Sequence, residues 1–472
     1  MTGRVIPLRE RAADAIADGE LQSALARATS ALGSRRLTAF ESLDNPDAVR
    51  DAARAAKMHA IAHLSELLEQ FESKLIANGA QVHWAETPQQ ANQIIADIAV
   101  RTGTKRAVKS KSMVSEETHL NDALERAGVT PIETDLGEYI VQLANDRPSH
   151  IIAPIVHLTR EDVGRVMHER LDVPYTSDTQ QLAKIARVKL RDEFLRADMG
   201  ISGANFGVAE TGTICLVTNE GNGRMVTTMP RVHVALMGIE KLVASMADLD
   251  VCLKVLARSG TGQKLTVYTT MVRAPKGRGD ADGPEELHVV LLDNGRSRML
   301  AGESAEILGC LRCGACLNVC PVYRNIGGHA YGDTYPGPVG AIVTPGLRGL
   351  AEWGELPHAS SLCGACREVC PVRLDIPRML LALRAQGAND PHPKSLKPAM
   401  RAFAFVASRP MLYRAATRLG RFAMRRLATA VPERSQAPAW IPKLPGFAGG
   451  WTRSRDLRAP APKTFQDMWR AR

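Results

Sequence analysis

Aromatic residues are scarce in this chain, 4% of the total, so its cores must be built from Ala, Leu, Val and Ile. No stretch approaches the roughly 20 apolar residues of a spanning helix, and the opening MTGRVIPLRERAADAIADGE has no apolar run behind its basic residues to act as a secretory leader. No G-x-G-x-x-G opens a helix, so the usual fingerprint of a bound dinucleotide is missing. These absences point to a cytoplasmic protein, where thiols stay reduced and disulfides are rare.

Against that background the chain has nine cysteines, and seven fall between positions 310 and 370. Cys215 and Cys252 stand apart and read as small core residues, since free cysteine is among the most buried residue types. The seven fall into two motifs. Cys310-x2-Cys313-x2-Cys316-x3-Cys320 precedes Pro321, and Cys363-x2-Cys366-x3-Cys370 precedes Pro371, with CGACLNVCPV answered by CGACREVCPV. The first is the bacterial ferredoxin run, in which the fourth cysteine ligates the other cluster. Crossing the fourth ligands gives Cys310, Cys313, Cys316 and Cys370 to cluster 1, and Cys320, Cys363 and Cys366 to cluster 2. Paired C-x2-C motifs also build zinc sites, but the four-cysteine run with its proline, duplicated in one chain, favours two 4Fe-4S clusters. In register, the cysteine missing from cluster 2 falls at Ser360. A serine oxygen or another group fills that corner, or the iron there is open and labile.

The 472 residues suggest about three domains. Residues 1–60 read as an N-terminal helical lead-in. Over 61–300, helices such as AIAHLSELLEQFESKLIANG and TPQQANQIIADIAVRTG alternate with the strands QVHWAE, KRAVKS, VTPIET and HIIAPIV, a pattern that predicts crossover units on a largely parallel sheet. SEETHLNDALERAG and LTREDVGRVMHER read as further helices. Gly-rich turns and β-branched strands complete this three-layer α/β domain from about 195. The cysteines occupy a mainly helical ferredoxin-type module over 301–384. A basic helical extension follows over 385–472, with about 17 Lys and Arg against about 4 Asp and Glu. Within it Arg414, Arg418, Arg421 and Arg425 share one helical face opposite Leu412, Leu419 and Leu427. Such a helix suits the inner face of a membrane, an acidic partner or packing on the cysteine module. Nucleic acid is not expected, because no aromatics interleave with the arginines.

Two further segments invite a ligand. SKSMVSEE lies between a strand and a helix, where Lys109, Lys111, Ser112 and Ser115 could cradle a carboxylate or phosphate, although a capping serine explains the pattern more simply. The Gly-rich ANFGVAETGT carries Glu210, read first as a turn-fixing residue and second as facing a pocket. His119, His157 and His233 have no metal-ligand partners at useful spacing.

Taken together, SKSMVSEE from 110, ETDLGEYIVQL from 133, IIAPIVHLTREDV from 151, GANFGVAETGTICLVTNEGNGRM from 203, RVHVALMGIEKL from 231 and LPHASSLCGACREVCPV from 356 resemble the lactate-utilisation protein B family, the iron-sulfur subunits of an L-lactate oxidation system. The resemblance implies a transferase-like α/β domain, a three-cysteine second motif, and work with two partner proteins in oxidising L-lactate to pyruvate. An electron-transfer subunit is thus the first expectation. A self-sufficient oxidoreductase or acyl-transfer enzyme, with the α/β domain doing the chemistry, and a redox sensor with a labile cluster are the alternatives. The missing dinucleotide fingerprint favours the subunit.

Overall fold

The computed structural model describes residues 6–387, 396–428, 440–452 and 456–471. The chain forms two compact units, 1–389 and 390–472.

Unit one is built on ten strands: β1 (Gln81–Ala85), β2 (Arg106–Lys109), β3 (Thr130–Glu133), β4 (Met199–Ser202), β5 (Phe206–Val208), β6 (Thr213–Thr218), β7 (Val232–Gly238), β8 (Leu242–Val243), β9 (Tyr268–Val272) and β10 (Glu286–Leu292). Six of them make a wholly parallel sheet in the order β1-β10-β7-β4-β2-β3. β4 and β7 are buried along their whole length. Helices cover both faces, which is why these strands read as continuous apolar runs. A second sheet, β8-β5-β6-β9, carries the Gly-rich hairpin. The expected α/β class with a helical cysteine module is the one observed.

Four helices precede β1: Leu8–Ala17, Gly19–Glu41, Pro46–Ala62 and Leu64–Ala77. Leu25, Phe40, Ala53 and Ala56 of this lead-in share one hydrophobic core with Cys313, Cys316, Cys320, Cys366 and Cys370. The cysteine module therefore rests on the N-terminal helices as well as on the α/β layer.

Two expectations need correction. HIIAPIV is not a strand: residues 150–156 form turns, and His150 Nδ1 takes the backbone N–H groups of Ile152 at 3.0 Å and Ala153 at 3.2 Å. A buried side chain thus satisfies the groups a ladder would have used. SEETHLNDALERAG is two helices, Met113–Thr118 and Leu120–Arg126, broken at His119, whose φ of 53° is left-handed.

In unit two, helix Pro410–Arg426 has no buried residue. Arg418 and Arg421 reach Asp467 of helix Phe465–Arg470 at 3.6 and 3.7 Å. The basic face is thus partly used inside the extension. Among the described residues no helix is long and apolar enough to cross a membrane.

Candidate metal centre

The two cysteine motifs fold into the same local shape. In the first, Arg312 (φ 58°) and Gly314 (φ 72°) are left-handed, helix Ala315–Val319 follows, and the chain turns at Cys320. In the second, Leu362 (φ 56°) and Gly364 (φ 86°) repeat the turn before helix Ala365–Val369 and Cys370. Glycine adopts this region freely, whereas Arg312 and Leu362 pay roughly 1–2 kcal/mol for it. Backbone held this way at matching positions marks a functional constraint. It swings N–H groups toward sulfur: Arg312 N donates to Cys310 Sγ at 3.4 Å, Tyr323 N to Cys320 Sγ at 3.5 Å and Leu374 N to Cys370 Sγ at 3.3 Å. Leu362 N donates to Ser360 Oγ at 3.1 Å.

The thiols sort into two groups across the motifs. Cys313, Cys316 and Cys370 each lie in the field of Cys310, and Cys316, where the two groups meet, also in those of Cys313, Cys366 and Cys370. Cys320 and Cys366 lie in the field of Cys363. Burial and these like charges push Cys316 far up, Cys366 to about 12 and Cys370 to about 11. Without a cation at their centre such sulfurs resist ionisation, so metal binding and thiolate formation go together. Cys363 differs: it is exposed, and the N–H of Ala365 with the Ser361 side chain draws its thiol down.

The N–H donors at the sulfurs suit sulfur-rich clusters, whose potentials they tune.

Three arginines of the N-terminal helices hold the second motif from outside. Arg36 donates to Val369 O at 2.8 Å, Arg50 to Glu368 O at 2.6 Å and Cys370 O at 2.8 Å, and Arg54 to Arg373 O at 2.8 Å while pairing with Glu306 at 2.7 Å. Sequence reading missed them. Arg50 and Arg54 stand four apart on one face of helix Pro46–Ala62, the signal that could have been used.

Of the proposed anion cradle, Lys109 is buried against Glu133 and Asn121, each at 2.5 Å, and Ser115 Oγ is spent on Ser112 O at 2.8 Å. Ser112 caps its short helix through Ser115 N at 3.2 Å. Only Lys111 and Ser112 of the four line a cavity. Glu210 is exposed and accepts from Met246 N at 3.0 Å. His233 is buried against Ser202 Oγ at 2.8 Å. His157, however, meets Asp146 at 2.9 Å and lies in ligand reach of His329, a grouping that sequence spacing does not reveal.

The fold and these motifs define the class: a LUD domain matches over residues 68–292 and a 4Fe-4S dicluster domain over 306–374. Residues 381–472 match the model described as lactate utilisation protein B, C-terminal. Lactate utilization protein B of Bacillus pumilus is 42% identical over 467 residues, covering 98% of this chain and 97% of that protein. The protein of the same name in Shouchella clausii is 43% identical, covering 99% and 97%. An uncharacterized electron transport protein of Escherichia coli, YkgF, is 39% identical, covering 96% and 94%. The chain belongs to the lactate utilisation protein B family.

Proposed function

We propose that this chain is the electron-transfer subunit of a cytoplasmic complex that oxidises L-lactate to pyruvate. Cys310, Cys313, Cys316 and Cys370 would hold one 4Fe-4S cluster and Cys320, Cys363 and Cys366 the other. What carries the reading is the crosswise grouping of the sulfurs from two equivalent turns. A 4Fe-4S cluster supplies one-electron chemistry at a potential set by its surroundings. Oxidising lactate releases two electrons and two protons, so a hydride acceptor must lie elsewhere, and no dinucleotide fingerprint marks this chain. Two partner proteins supply that step. Cys363 is exposed, which favours the second centre for exchange with a partner, whereas of the first set Cys313, Cys316 and Cys370 are buried and Cys310 is half-buried. The basic face of helix Pro410–Arg426 offers a further docking surface for a partner or for the anionic inner face of the membrane.

The test is L-lactate added anaerobically to the isolated chain and to the chain with its partners, read by electron paramagnetic resonance. Reduction should require the partners. Reduction by lactate alone would instead support a self-sufficient oxidoreductase.

A further inference from the structure

The six-stranded sheet has a reversal point between β2 and β4. β2 is followed outward by β3, whereas β4 lies on its other side and leads to β7. Open parallel sheets take ligands where such neighbours diverge past their carboxyl ends. Here that crevice is a cavity of about 480 Å³, within the range of small-molecule sites. Ser110, Lys111 and Ser112 follow β2 into its wall, Gly203 and Asn205 follow β4, and Arg312 enters from the cysteine module.

The polar wall is built from buried groups. Ser110 Oγ and both Nε and Nη1 of Arg312 are buried with no hydrogen-bond partner among the described residues, the two residues being 2% and 9% exposed. Buried donors are normally satisfied, and each exception asks for an explanation. Lys241, 9% exposed, joins Arg312 and Lys111 as a third cation in the lining, and the buried Glu240 carboxylate stands 3.8 Å from Arg312 Nη2, leaving Nε and Nη1 for a ligand. At Gly203 an added Cβ would stand 2.7 Å from Ser112 Oγ, so glycine keeps that edge open. Asp135 and Glu220 also line the cavity, each with one oxygen engaged: Asp135 Oδ1 takes the N–H groups of Gly137 and Glu138, and Glu220 Oε2 that of Leu136. Leu136, Ile152 and Leu256 make an apolar wall.

We propose that this cavity binds a small organic anion, its carboxylate or phosphate head held by Arg312, Lys241 and Ser110 and its apolar body lying on Leu136, Ile152 and Leu256. The site reports to the first cysteine group. Arg312 sits between Cys310 and Cys313, donates its N–H to Cys310 Sγ and stacks its guanidinium 4.9 Å from the Tyr335 ring. An anion on that guanidinium offsets a positive charge beside Cys310, which favours the oxidised form of whatever the thiolates hold and lowers its potential. This link rests on the cluster assignment above; the site itself does not.

Calorimetry on the full chain, prepared anaerobically with its iron, tests the site with four probes: pyruvate, inorganic phosphate, phenylpyruvate and phenyl phosphate. At least one aromatic probe should bind saturably, about tenfold or more tighter than its bare head group, and which one does distinguishes carboxylate from phosphate. Lys241→Gln and Ser110→Ala should each weaken it by about fivefold or more at unchanged iron content. These two, remote in sequence from the cysteines, carry the test because Arg312→Gln could disturb the metal centre. No saturable binding of any probe at millimolar concentration, or binding that both variants leave unchanged, overturns the site. A redox titration followed by electron paramagnetic resonance should show the first cluster's midpoint falling with the bound probe and the second's unmoved. Binding in a chain that proves to hold no cluster on Cys310 and Cys313 leaves the site standing and ends only that link.

Discussion

Ser360 and Cys310 occupy equivalent places: Ser360 Oγ accepts the N–H of Leu362 at 3.1 Å as Cys310 Sγ accepts that of Arg312 at 3.4 Å, each donor being the left-handed residue two positions on. The second turn thus keeps the geometry of a fourth ligand while changing its donor atom. Ser360→Cys should complete the set and slow the loss of the second cluster in air. Ser360→Ala separates a ligand oxygen from a turn-stabilising one, because only the former changes the cluster's resonance spectrum. If both variants lose iron at the wild-type rate with wild-type spectra, the serine has no part in holding metal.

The crossed assignment makes a sharper demand. With about eight irons per chain expected from two cubane clusters, Cys313→Ala should remove the first cluster and spare the second. Cys320→Ala, although its residue belongs to the first sequence motif, should damage the second. Iron analysis and resonance spectra of the two variants decide it. Loss of the same cluster in both would mean that each motif closes on itself.

Glu138 gives a prediction in pH. Burial, reinforced by Glu116, Glu133 and Asp135 and opposed by Lys111, pushes its carboxyl up to about 8. The folded form therefore holds a proton that the unfolded chain releases near the ordinary value, and stability is lost as pH rises through that window. At pH 7 the cost is on the order of 3 kcal/mol, the opposing pull of Lys111 at 3.5 Å being already contained in the shift. Glu138→Gln should raise Tm by more at pH 8 than at pH 5. A difference that stays flat with pH would mean that the carboxyl ionises normally.

The elements legible in the sequence were those whose cause is local. β1, β2 and β3 follow from the short strand patterns QVHWAE, KRAVKS and VTPIET, and the metal motifs follow from cysteine spacing, since both are short-range patterns. HIIAPIV failed because His150 substitutes for a strand partner, and composition does not show where an imidazole points. Arg36, Arg50 and Arg54 went unread because their carbonyl partners lie about 320 positions away. The cavity was half visible: Lys111 and Ser112 were flagged, but Arg312 and Lys241 reach it only through the packing of the cysteine module on the sheet.

The basic extension supplies the last prediction. Residues 390–472 form a compact unit of their own, and helix Pro410–Arg426 exposes Leu419 at 70% and Phe422 at 55% beside its arginines. Helix Ile376–Gly387, by contrast, buries Met379, Leu380 and Leu383 in the core that surrounds the cysteines. Truncation after Asn389 should therefore leave iron content and Tm of the remaining unit unchanged. Exposed charge attracts over about 10 Å at 0.1 M salt and less at higher ionic strength, so the same truncation should abolish a salt-sensitive association measured with the partner proteins or with anionic vesicles. Retention by partners but not by vesicles, or the reverse, identifies which surface the arginines serve. A truncated chain that purifies without iron would show instead that the extension stabilises the metal module.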